Sequence, residues 1–205
     1  MEITNLPIAG YRANEYLLVL TPNEELVQKI RHIKEDCAGK YKLSYSRTMK
    51  PHITLVQYVQ WEMMDEKIHH RLQTLSMGIS PFKIEMKDYG SFPSHTVFIN
   101  VLSKLPIQKM IRELKTVQQL MKLNREHKPH FMDEPFIPVC RNLKPWQYEQ
   151  AWLEYSHRHF TGRFIADSML LLKRSYSSKS AYQIAHRYEF LNLPVGTRQG
   201  TLFGG

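Results

Sequence analysis

The sequence predicts an α+β protein of two pseudo-symmetric lobes around a central cleft, and three observations predict it. Strand-like and helix-like segments interleave along the 205 residues, and their order recurs in the second half. A motif in the first half, Lys50-Pro51-His52-Ile53-Thr54-Leu55-Val56, has an echo in Glu134-Pro135-Phe136-Ile137-Pro138-Val139-Cys140-Arg141. Positions 52 and 136 stand 84 residues apart, close to half the chain, which fits one motif per lobe with the two facing each other across the cleft.

Residues 15–21 hold the apolar run Tyr-Leu-Leu-Val-Leu, which reads as a buried strand, and Pro22-Asn23-Glu24-Glu25 opens a helix expected to stop at Gly39. Residues 52–59 alternate as a strand, 63–75 are helical, and 82–89 and 96–102 are strands. In the second half, residues 106–123 place Ile107, Met110, Ile111, Leu114, Val117, Leu120 and Met121 at helical spacing. The echo strand 136–140 follows. A helix over 145–155 comes next, with Pro145 suited to its first turn, then strands over 163–173 and 182–191. Trp146, Tyr148 and Trp152 read as helix-packing residues, and the glycine-rich tail from 196 to 205 as loose.

Hydrophobic content of 42% with 23% charged residues is that of an ordinary soluble globular protein. A formal charge of +9 favours anionic partners such as RNA, nucleotides or phosphorylated metabolites, or serves solubility alone. The two cysteines, Cys37 and Cys140, form no CxxC pair, which argues against a thiolate zinc site and indicates no disulfide framework. With no signal-peptide pattern in residues 1–11 and no apolar run long enough to span a bilayer, the expectation is a reduced, monomeric, cytoplasmic protein with no membrane association. His69 and His70 lie in a polar helix. His157 and His159 flank Arg158 at an i,i+2 spacing that suits no helical metal pair, so no metal site is expected.

The motif carries the chemistry. Side chains two apart on a strand share a face, so His52 and Thr54 point the same way, an imidazole beside a hydroxyl. Two such histidines across a phosphate cleave an ester without a metal or other cofactor: one takes a proton from water and the other gives one to the departing oxygen, while the threonines hold the phosphoryl group. On Pro51-His52-Ile53-Thr54, the echo Pro135-Phe136-Ile137-Pro138 and Arg141 five residues after Phe136, the chain resembles the 2H phosphoesterases, the superfamily of 2′-5′ RNA ligase-like and LigT-like RNA 2′,3′-cyclic phosphodiesterases. The resemblance covers most of the chain. It implies one His-x-Thr motif per lobe, each lobe an antiparallel sheet with helices packed outside, and an RNA or nucleotide phosphate ester as partner.

It also implies a broken site. Phe136 stands where a proton carrier belongs and Pro138 where a hydroxyl belongs. Loss of a general acid or base costs on the order of 10²–10⁴ in rate. Pro138 further disturbs the strand unless it lies at an edge or bulge. His52 and Thr54 are the expected catalytic half. Arg141 is the phosphate contact, Phe136 an apolar wall, Tyr182 on the last strand a surface for stacking a base, and Arg174 a second phosphate contact. His127 and His130, in a loop before the echo, are alternative carriers of the lost role. The rival reading is a non-catalytic protein that keeps the fold to bind RNA or a nucleotide, and a third is a scaffold without a phosphate site.

Overall fold

A computed structural model describes residues 10–43, 50–93, 95–178 and 180–194. In chain order these form β1 (Ala13–Leu20), α1 (Glu24–Tyr41), β2 (Ile53–Trp61), a 3-10 turn (Glu62–Met64), α2 (Asp65–Met77), β3 (Phe82–Phe92), β4 (Thr96–Val101), α3 (Lys104–Lys115), α4 (Gln118–Met121), β5 (His130–Phe131), β6 (Phe136–Cys140), α5 (Pro145–Tyr155), β7 (Thr161–Ala166), β8 (Ser168–Ser175) and β9 (Gln183–Glu189). The tail from 196 to 205 lies outside the described residues. None of the described helices is long and apolar enough to cross a membrane.

The fold is α+β, with two sheets in the orders β5-β2-β1-β8-β9 and β6-β4-β3-β7, antiparallel throughout. Helices α2, α3 and α4 pack against the first sheet, and α1 and α5 against the second. The two motifs fall in different sheets, on β2 and β6. The sheets are nevertheless not the two halves of the chain. β3 and β4 leave the first half to join β6 and β7, while β8 and β9 return from the second half to flank β1. A continuous strand over 163–173 is therefore not formed. The chain breaks at Asp167, so that β7 closes one sheet and β8 enters the other.

All eight residues of β1 are buried, because a run apolar on both faces needs cover on both, and β2 and β8 satisfy its two edges. Helix α1 is capped by the Asn23 side chain, which accepts from the Leu26 N–H at 3.2 Å. It passes Gly39, where the sequence placed its stop, and ends at Tyr41, with Lys42 in the left-handed cap position at φ 51°. The expected helix over 106–123 breaks after Lys115 into α3 and the single turn α4, where buried Gln60 donates to the Leu120 carbonyl at 2.8 Å. Residues 130–131, read as loop from sequence, add the short edge strand β5 to β2. Tyr148 and Trp152 pack on the core, but Trp146 is exposed.

The cysteines do pair. Cys37 of α1 and Cys140 of β6, 103 residues apart in sequence, form a disulfide with Cα atoms 6.2 Å apart, and both are buried. The expectation of unlinked, reduced thiols is corrected: the buried stripe of α1 lies against the outer face of β6, and that meeting is not visible in spacing. A cross-link closing so long a loop stabilises by about 2–4 kcal/mol. Cys37→Ser should lower unfolding stability in urea by that amount, and dithiothreitol should bring the parent down to the variant.

Candidate active site

The alternation of β2 buries Ile53 and Leu55 and leaves His52 and Thr54 half-buried on the opposite face. Thr54 pairs with Val19 and Val56 with Leu18, so Leu55 is an extra residue, a bulge immediately after the motif. The bulge returns Gln57 to the face of Thr54, opposite Leu17. The echo has the same device in the same place. Pro138 pairs with Phe98 and Cys140 with Val97, so Val139 bulges, three residues after Phe136 as Leu55 is three after His52. Cys140 then turns outward to α1, and Arg141 returns to the side of Phe136 and Pro138. The two strands thus share a backbone frame while carrying different side chains. The missing N–H of Pro138 is tolerated because β6 is an edge strand.

His52 lies just ahead of β2. Its Nδ1 is 2.8 Å from the Lys50 carbonyl, and Lys50 is tied to α1 by an ion pair with Glu24 at 2.9 Å. A carbonyl only accepts, so Nδ1 carries the proton and Nε2 presents its lone pair. Burial pushes the imidazole pKa down to about 4. The Lys50 carbonyl opposes that shift, while the charges of Lys34 and Arg141 reinforce it. At neutral pH His52 is therefore an uncharged base. Partial desolvation also lowers Arg141, although the residue keeps an exposed surface, and burial together with the Arg141 charge brings Lys34 down to about 8. The recess thus gathers one histidine and two cations, an arrangement that an anion would stabilise.

Lys34 is the residue that reading the sequence missed. It falls in the stripe Val27, Ile30, Lys34, Cys37, Tyr41, whose other members are buried. A lysine at the inner position of an amphipathic helix was the available signal.

On the second sheet Phe136 is not alone. Its ring lies 5.0 Å from Phe98 and 5.1 Å from Phe92, and these two are 4.7 Å apart. All three rings are half-buried and form an aromatic wall on the face turned away from α1. Gly90 makes room for it, since a Cβ there would meet the Phe98 ring at 2.6 Å. The β2 and β6 strands approach each other through the chain between β5 and β6, where the Met132 N–H donates to the Leu55 carbonyl at 2.9 Å, four residues before Phe136.

The remaining candidates are placed less favourably. Arg174 donates through Nε to Glu15 at 2.7 Å, and its guanidinium lies 4.4 Å from the Tyr182 ring centroid. Glu15 is buried and also accepts from Gln57. The guanidinium expected to contact phosphate is thus held by a carboxylate. Tyr182 precedes β9 rather than lying within it. His130 sits on β5 opposite Gln57, and His127 is bound to Asn124 Oδ1 at 3.1 Å beside Tyr176. Among the described residues there is no cluster of three or more His, Cys, Asp or Glu side chains able to hold a metal ion.

The chain matches the 2′-5′ RNA ligase superfamily over residues 21–177 and belongs to that family, within the 2H phosphoesterases. Its fold is shared with TT0787 of Thermus thermophilus at TM-score 0.62 and 13% identity, covering 86% of this chain and 98% of that one. Escherichia coli LigT, crystallised with 3′-AMP, superposes at TM-score 0.55 and 12% identity, covering 87% and 98%. LigT with NADP+ gives 0.53 and 14%, covering 87% and 99%. No curated protein matches the chain in sequence.

The His52 ring should titrate near pH 4 by NMR in the free protein. Lys34→Met removes a repelling charge and should move that midpoint up, as should saturating phosphate. A midpoint near the ordinary histidine value, unmoved by either change, would contradict the recess described here.

Proposed function

We propose that the chain hydrolyses a phosphodiester carried by a nucleotide or an RNA end, with a 2′,3′-cyclic phosphate as the nominal substrate and no metal required. The observation that carries this reading is His52, uncharged, with its proton on Nδ1 and its pKa depressed further by the charges of Lys34 and Arg141. A phosphate in that recess restores charge balance, and the imidazole takes the proton of the attacking water. The Thr54 hydroxyl donates to one phosphoryl oxygen, and the Arg141 guanidinium forks across others. LigT was crystallised with 3′-AMP and with NADP+, and the nucleotide phosphate esters held by that relative support the same ligand class for this chain. The wall of Phe92, Phe98 and Phe136 offers a base a stacking surface, and Tyr182 a second one farther along the first sheet. Arg174, held by Glu15, orders that part of the sheet.

Turnover slower than that of an intact histidine pair is expected, since Phe136 has no proton to give. That same residue favours a second reading, a binder without catalysis. Comparing the parent with His52→Ala on a 2′,3′-cyclic nucleotide separates the two. Loss on the order of 10²–10⁴ in turnover supports hydrolysis. No turnover by either protein, with salt-sensitive nucleotide binding retained by both, supports the binder.

Stacking of one base is worth about 1–3 kcal/mol. Phe136→Ala should therefore weaken 3′-AMP binding by roughly 5- to 150-fold while leaving inorganic phosphate binding nearly unchanged.

A further inference from the structure

We infer that Asn100 reads the base of the nucleotide in this cleft, and that the base it selects is adenine. The inference rests on the reading above, in which a nucleotide stacks its base on Phe92, Phe98 and Phe136, and it names the base that the site prefers.

Stacking by itself does not select. Every base has a π-face, so phenyl rings hold one base nearly as well as another. Selection needs a polar group at the edge of the stacked base, and β4 supplies one. Asn100 and Phe98 are two apart on that strand and share a face, and Asn100 stands directly opposite Phe136 in the β4–β6 register. The side chains of Asn100 and Phe98 also lean over the same glycine. A Cβ at Gly90 would meet Asn100 Oδ1 at 2.5 Å and the Phe98 ring at 2.6 Å. The amide is therefore a neighbour of two of the three rings.

The fold makes no use of this amide. Asparagine is disfavoured in strands, and the packing of β4 is carried by Val97, Ile99 and Val101, all buried on its other face. Asn100 is half-buried, and among the described residues nothing hydrogen-bonds its side chain. Thr96 on the same strand differs, since its hydroxyl is 2.7 Å from His95 Nδ1. A half-buried amide without a protein partner keeps its donor and its acceptor for a ligand.

Its chemistry fits adenine. A carboxamide presents an acceptor and a donor side by side, which match the N6 amino group and N7 of adenine in a two-bond contact. Guanine offers O6 and N7 along the same edge, both acceptors, and would set O6 against the Asn100 carbonyl. Three rings spaced 4.7 to 5.1 Å apart suit the fused rings of a purine better than the single ring of a pyrimidine. A nucleotide lying along β6 then has its base at Asn100 and its phosphate toward Arg141, which follows the other end of the strand.

The test is calorimetric binding of 3′-AMP, 3′-GMP and purine riboside 3′-phosphate, which lacks the N6 amino group, with inorganic phosphate as reference. The parent and Asn100→Ala are compared. The parent should bind 3′-AMP roughly 5- to 150-fold more tightly than either other nucleotide, the range of one good two-bond contact. Asn100→Ala should bring 3′-AMP down to the level of purine riboside 3′-phosphate while leaving that analogue and inorganic phosphate nearly unchanged. Retained phosphate binding reports a folded variant, and the comparison within the parent needs no variant at all.

Equal binding of the three nucleotides by the parent would overturn the inference. So would a variant that weakens 3′-AMP and the analogue alike, which would mark Asn100 as part of the wall. Both results leave hydrolysis standing, because turnover of a 2′,3′-cyclic nucleotide is measured separately. A parent that prefers 3′-AMP but turns over no cyclic nucleotide would sink the hydrolytic reading and support the inference.

Discussion

Strand β1 has no face and no edge left for water. Both its faces are covered, and its edges are taken by β2 from its own half of the chain and β8 from the other. That constraint makes the two halves interdependent, because the first sheet cannot be completed without strands made some 150 residues later in the chain, and the second sheet borrows β3 and β4 in return. The candidate site inherits the arrangement. His52 and Thr54 come with β2 and Arg141 follows β6, so no single segment carries it. The Cys37–Cys140 bond adds a covalent tie at the residue before Arg141.

The recess is an electrostatic compromise. Burial disfavours charge on His52 and Lys34, and the positive charge of the more exposed Arg141 adds to it for both. The free protein resolves the conflict by leaving the imidazole neutral. A phosphate relieves it by contributing the opposite charge, so the features that set these groups at odds also define what suits them. On the second sheet Phe136 and Pro138 stand where the first motif has a histidine and a threonine, and Phe92 and Phe98 pack beside Phe136. The start of β2 and the residue after β6 carry charged or titratable groups, while Phe92, Phe98 and Phe136 offer flat apolar surface.

Much of this was legible in the amino-acid sequence, and the illegible parts share a cause. The two-residue alternation placed His52 and Thr54 on one face, and the matched frame of the echo identified β6. Which sheet a strand joins was not legible: residues 163–173 read as one strand because a single residue, Asp167, separates two strands that diverge into different sheets. The disulfide and the Glu15–Arg174 pair link residues 103 and 159 positions apart and leave no local trace. Lys34 was hidden in another way. A lysine in a helix reads as solvated, and only its place on the apolar stripe tells otherwise.

The paired bulges at Leu55 and Val139 give β2 and β6 the same backbone frame although the side chains they carry differ. Backbone geometry there is upheld by main-chain pairing with β4, which is indifferent to the identity of the outward-facing groups. Substitutions at the outward-facing positions of β6 can therefore change which groups that strand presents without altering the pairing that holds it in the sheet.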